Sequence, residues 1–113
     1  LMTPDDLDQV AALGSKQAVF FRDVVQDILG FMKRIGIVGI NMHDPAAVLY
    51  AADDSIFKAY LAGIRVETKG SITQGKTVTD LFSDAKWHKN AFAVMEIDRD
   101  AFVTRVLELM SKY

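Results

Sequence analysis

The chain has 113 residues, half of them hydrophobic and a quarter charged, a composition that fits a folded segment with a modest core and excludes intrinsic disorder. Its net charge is −2 and its 13 basic residues are scattered, which leaves no electrostatic footprint for nucleic acid or an anionic membrane. The absence of cysteine excludes disulfides and thiolate metal sites, and a reducing, cytoplasmic setting is expected.

Thr3, Pro4, Asp5 and Asp6 read as an N-cap, a first-turn proline and two acids complementing the positive end of a helix. That helix is predicted to run to Gly14, which suits a left-handed C-terminal cap. Ser15 then caps a longer helix. Its apolar positions Val19, Phe20, Val24, Ile28, Leu29 and Met32 recur at three and four residues and are expected to face the core, with Gly36 as the stop. Gly36 and Gly39 lie in the loop between Ile35 and Met42, where their permissive backbones would let it bend or move.

The stretch Asn41-Met42-His43-Asp44-Pro45 is a helix start. Asp44 takes the N-cap position and Pro45 the first helical one, because its missing N–H would be unpaired there, and the helix is predicted from Pro45 to about Ala52. Two readings of this pair stand. In one, the carboxylate only caps the helix and His43 is polar surface. In the other, one carboxylate oxygen caps while the second faces a hard cation, with His43 beside it as a general acid.

Asp53-Asp54-Ser55 reads as a turn with a fresh cap, since adjacent side chains on a helix do not converge on a metal. Beyond Leu61-Ala62-Gly63, the alternation of Ile64, Val66 and Thr68 with Arg65, Glu67 and Lys69 predicts a half-buried strand. A second strand is expected over residues 77–81. A third, over residues 91–97, is nearly all apolar and is expected at the centre of its sheet. Asp98 caps a last amphipathic helix with Phe102, Val103, Val106, Leu107 and Met110 facing inward. The fold class is therefore α/β, with about four helices and a small mixed or antiparallel set of three strands.

Residues 70–77, from Gly70 through Gly75 and Lys76 to Thr77, satisfy the phosphate-loop pattern G-x-x-x-x-G-K-[ST], and residues 93–98 imitate an apolar strand ending in a magnesium-holding Asp98. A phosphate cradle needs its amides to feed a helix N-terminus. Here the run from Val78 to Asp84 is β-prone and then turn-prone, with no long apolar stripe at helical spacing, so the stretch is read as two strands joined by a glycine-bearing turn, with nucleoside triphosphate binding a remote alternative. His88, in the polar run Lys86-Trp87-His88-Lys89-Asn90, is expected to be solvated, and Trp87 beside lysines is a weak base-stacking candidate. Asp98-Arg99-Asp100 fits a helix start better than a metal cluster, because Arg99 compensates its neighbours.

Over residues 3–109 the chain resembles the carboxyl-terminal part of the nucleoside hydrolases, the inosine–uridine-preferring N-ribohydrolase family. The landmarks are the triplet His43-Asp44-Pro45, the segment from Val66 to Asp80, and Asn90 opening a last strand that leads into a terminal helix. The resemblance implies a calcium-dependent enzyme of purine and pyrimidine salvage that splits ribonucleosides into base and ribose. It implies Asp44 as one metal ligand and His43 as the acid for the leaving base. A histidine rather than a tryptophan before the aspartate points away from the purine-specific branch. Members of the family often carry tyrosines near the end of the preceding helix; Phe31 and Ile35 stand there and have no hydroxyl to donate.

In that family most of the metal's carboxylates come from a D-x-D-x-x-x-D-D cluster after a first strand. Asp5, Asp6 and Asp8 have the wrong spacing and open a helix. Residues 1–113 are thus expected to be one carboxyl-terminal segment of such a domain, inactive alone. The expected partners are the missing amino-terminal segment or another copy of the chain in a homo-oligomer, and a remnant scaffold that binds no substrate is the alternative. An opening Leu1, no apolar run long enough to span a bilayer, no secretory-type start and a mean hydropathy of +0.14 agree with a piece of a larger cytoplasmic protein.

Overall fold

The computed structural model describes residues 1–82 and 87–113; Ser83, Asp84 and Lys86, assigned above to a turn and a polar loop, lie outside them. Seven elements follow in order: α1 (Pro4–Ala12), α2 (Lys16–Arg34), α3 (His43–Ala52), β1 (Phe57–Val66), β2 (Thr77–Asp80), β3 (Ala91–Ile97) and α4 (Arg99–Met110). They form two compact units, Leu1–Ile56 with Asp98–Tyr113, and Phe57–Ile97. The expected four helices and three strands are all present. No helix among the described residues is long and apolar enough to cross a membrane.

The helical unit is built as its caps dictate. The Thr3 hydroxyl accepts the Asp6 N–H at 3.3 Å while the Asp6 carboxylate accepts the Thr3 N–H at 2.6 Å, a reciprocal capping box that satisfies two otherwise unpaired donors. Gly14 adopts φ +73 just beyond α1, as the sequence predicts. Ser15 caps α2 and Asp98 caps α4, each accepting the N–H three residues on. α1 packs on α2 and α4, and the core gathers Met2, Leu7, Val10, Ala18, Val25, Ile40, Phe102 and Val103. Full burial of Leu7 or Val10 contributes about 1.5–3 kcal/mol each.

The inward face of α2 differs from the predicted one except at Leu29, which packs on the core as expected. Ala18, Phe21, Val25 and Leu29 meet the core, whereas Val19, Phe20, Val24 and Ile28 are exposed, Phe20 by 70%. The helix carries two adjacent apolar stripes of the same period, and periodicity alone cannot say which one meets α1. The outer stripe runs Phe20, Val24, Ile28, Phe31 and Ile35. In α4, by contrast, Phe102 and Val103 are buried and Val106, Leu107 and Met110 pack against the core as expected.

The second unit is a three-stranded antiparallel sheet in the order β2-β1-β3. β1 starts at Phe57, seven residues before the alternation that predicts it, and it occupies the centre. The apolar β3 is therefore an edge strand, not a central one; none of its residues is fully buried, and Phe92, Val94 and Met95 are exposed. The Asp53–Ser55 turn leads into β1 rather than a helix, so Asp53 starts no new helix and instead closes α3, its N–H donating to the Leu49 carbonyl at 2.7 Å; its carboxylate accepts the Ser55 N–H and pairs with Arg105 at 3.2 Å. Ser55 first, and Arg105 after it, hold that carboxyl below its ordinary range.

Residues 71–75 form a turn and Thr77 opens β2, so the phosphate-loop pattern feeds a strand. With no helix N-terminus behind it the loop lacks the dipole of a phosphate cradle, which speaks against the nucleotide reading. What orders the turn is Glu67, whose Oε1 accepts the N–H groups of Lys69 at 2.7 Å and Gly70 at 3.0 Å. Those two bonds hold the Glu67 carboxyl below its ordinary range.

Candidate functional site

α3 begins earlier than its sequence signal suggests. Its N-cap is Met42, with no side-chain capping bond, so His43, Asp44 and Pro45 are the first three helical residues. Asp44 is therefore not the cap. The first intrahelical bond runs from the Ala46 N–H to the Met42 carbonyl at 3.0 Å, which leaves the N–H positions of residues 43–45 without an intrahelical acceptor. Proline is tolerated at any of the three, so the Asp-Pro signal locates the first turn without fixing its first residue.

That shift changes what the carboxylate is free to do. Asp44 and His43 are both exposed, and neither has a hydrogen-bond or ion-pair partner among the described residues. Asp44 sits in the first turn, where a negative charge complements the helix dipole. Met42, Ala46 and Leu49 pack on the core and define the inward face of α3. With about 100° between successive helical residues, Asp44 points nearly opposite that face and His43 to one flank of it. The two groups thus address different points: an acceptor facing outward and a titratable imidazole at its side.

Three other groups fall as expected from their types. His88 is exposed, Asp98 caps α4, and Arg99 pairs with Asp100 at 2.8 Å. Trp87 is used structurally, with the Arg65 guanidinium 5.0 Å from its ring centroid, a cation–π contact within the sheet unit. Phe31 and Ile35 are each about half exposed on the outer stripe of α2, and Arg34 lies 5.9 Å over the Phe31 ring. A cleft of about 360 Å³ beside α2, lined by Pro4, Leu29, Lys33, Ile37 and Val38 among others, includes neither His43 nor Asp44.

Asp6 is the residue that sequence reasoning placed least well. Read from the sequence as one of two acids at the start of a helix, it is buried, and its Oδ2 accepts the Thr3 N–H and hydroxyl and meets the Arg99 guanidinium. The Thr3…Asp6 spacing carried the signal for the capping box; nothing local signalled Arg99, 93 positions on.

Calcium takes six to eight oxygen ligands. Among the described residues there is no group of three or more His, Cys, Asp or Glu side chains able to hold a metal ion, and Asp5, Asp6 and Asp8 do not join Asp44. One outward carboxylate does not fit calcium unaided.

The family model of the inosine-uridine preferring nucleoside hydrolases matches residues 1–104. The chain belongs to that family. It is 28% identical over 110 residues to the pyrimidine-specific ribonucleoside hydrolase RihA of Salmonella enteritidis, covering 96% of this chain and 35% of the relative. It is 27% identical over 111 residues to the RihA of Escherichia fergusonii, with 96% and 36% covered. Among solved structures, a plant nucleoside hydrolase shares the fold with a TM-score of 0.81 at 21% identity, and a purine-preferring ribonucleoside hydrolase from Gardnerella vaginalis with 0.76 at 23%. Each is matched over 37% of its length, by 99% and 100% of this chain respectively. As a nucleoside hydrolase family member, then, this chain spans about a third of the length of the curated relatives it matches.

Proposed function

We propose that this chain is the carboxyl-terminal part of a nucleoside hydrolase that cleaves the N-glycosidic bond of ribonucleosides to base and ribose. The observation that carries the proposal is the state of the His43–Asp44 pair: exposed, unpartnered among the described residues, and fixed at the start of a packed helix in a chain of this family. In the reaction the C1′–N bond breaks, a C1′–O bond forms from water, and the departing base must gain a proton. His43 is the proposed donor of that proton, which the proton released from water replaces over the cycle. Asp44 is proposed as one oxygen ligand of a calcium ion whose remaining ligands this chain does not supply.

The isolated chain is accordingly expected to release no ribose from inosine or uridine with calcium present, and appreciable release would overturn the reading of it as a partial site. A chimera tests the roles directly. The matching third of the Salmonella enteritidis relative is replaced by this chain, and ribose release from uridine and inosine is followed. His43→Ala is expected to lower kcat by about 10²–10⁴-fold, and Asp44→Ala to weaken calcium binding as well. An active chimera indifferent to both substitutions would support a scaffold without a catalytic part.

A further inference from the structure

The Met2–Ile40 bridge anchors the segment that delivers His43 and Asp44. Met2 donates its N–H to the Ile40 carbonyl at 2.9 Å and accepts the Ile40 N–H at 2.8 Å, a two-way antiparallel bridge outside any named strand. Both side chains are buried, Met2 completely. Met42, two residues on, packs against the same core while Asn41 points to solvent. Residues 40–42 thus alternate in and out like a strand, and a slip of one residue would bring Asn41 into the core.

Gly39 makes the close approach possible. It adopts φ +119, and an added Cβ would lie 2.5 Å from the Met2 carbonyl oxygen and 3.0 Å from the Leu1 side chain. An L-residue there is strained by its backbone and collides with backbone that cannot yield without opening the bridge. The first residues are themselves held from behind: Arg99, paired with Asp6, donates from Nε to the Leu1 carbonyl at 3.3 Å. The predicted mobile loop therefore contains a fixed point.

α3 has no side-chain cap, so no capping hydrogen bond fixes the residue at which its first turn begins. We infer that the Met2–Ile40 bridge, made possible by Gly39, is the positioning device for the His43–Asp44 pair. Its importance for catalysis rests on the proposed function; its effect on placement does not, and the two are read separately below.

In the unmodified chain, labelled for amide exchange by NMR, the Met2 and Ile40 amides and the first-turn amide of Ala46 are expected to open in one event, with matching protection as denaturant is raised. Ala46 remaining protected after Met2 and Ile40 have exchanged would overturn the inference. Gly39→Ala is expected to speed exchange at Met2 and Ile40 by at least about tenfold and to shift the His43 ring resonances, while Ile64 in the sheet unit keeps its signal. Val38→Ala, one residue away at a position 69% exposed, is expected to change none of these. Unchanged His43 resonances in a folded Gly39→Ala chain would also overturn it. Neither measurement involves turnover, so a failure here is distinct from a failure of the chimera assay.

Discussion

The Asn90 carboxamide pairs in both directions with the backbone of Ile64, Nδ2 donating to the carbonyl at 3.0 Å and Oδ1 accepting the N–H at 2.8 Å. The regular β1–β3 ladder ends at Ala62 and Ala91, so this side chain extends it beyond the last paired residues as a strand backbone would. Only an amide offers a donor and an acceptor in that geometry. Asn90→Ala is expected to cost about 1 kcal/mol per lost bond. Asn90→Asp is expected to be worse despite its shape, because it sets a carboxylate against the Ile64 carbonyl. Amide exchange at Ile64 orders the three chains; Asp exchanging no faster than Ala would contradict the two-way pairing.

The capping box and the Arg99 contact converge on Asp6. Thr3→Ala removes one capping acceptor and is expected to cost about 1 kcal/mol. Asp6→Ala is expected to lower the melting temperature more, because it also leaves the Arg99 guanidinium without its buried partner. With Arg99→Ala as background, the extra penalty at Asp6 should shrink. Additive penalties would show that the two residues do not couple.

Acid should loosen the β1–β2 turn before the rest of the sheet. The Glu67 carboxyl lies below its ordinary value because it accepts the Lys69 and Gly70 amides. A depressed folded-state pKa gives stability that is complete above the unfolded value of about 4.3 and is lost as pH falls through the lower folded value. Amide exchange at Lys69 and Gly70, corrected for its intrinsic pH dependence, should rise across that acid window. In Glu67→Gln the rise should vanish; persistence would locate the titration elsewhere.

Magnesium with ATP is expected to leave the melting curve unmoved, since residues 71–75 turn into a strand. Any ligand preferring the native state raises stability. A rise with ATP that Lys76→Ala abolishes would restore the nucleotide reading.

The outer stripe of α2, from Phe20 to Ile35, leaves five large apolar side chains between 41% and 70% exposed. In isolation the chain is expected to self-associate through it, detectable by sedimentation, and Phe20→Ser with Phe31→Ser to restore a monomer. A monomeric unsubstituted chain would count against another copy as the occupant.

The sequence by itself determined what depends on neighbours along the chain. Thr3, Ser15 and Asp98 fix three helix starts through bonds to amides three residues on, and Gly14 ends α1 where only a residue without Cβ is at ease. Residues 77–81 and 91–97 declare strands by composition, and the first of these ends at Asp80 in the fold. The family landmarks were legible in the same way, as short runs in order. Tertiary structure decided what depends on distant partners: which of two equivalent stripes of α2 is buried, which strand is central, and that Asp6 lies beneath Arg99. It also decided the start of α3. Proline is tolerated throughout the first helical turn, so the local signal left the first residue open, and in the fold Met42 packs on the core beside the Met2–Ile40 bridge while Asp44, the second helical residue, faces outward.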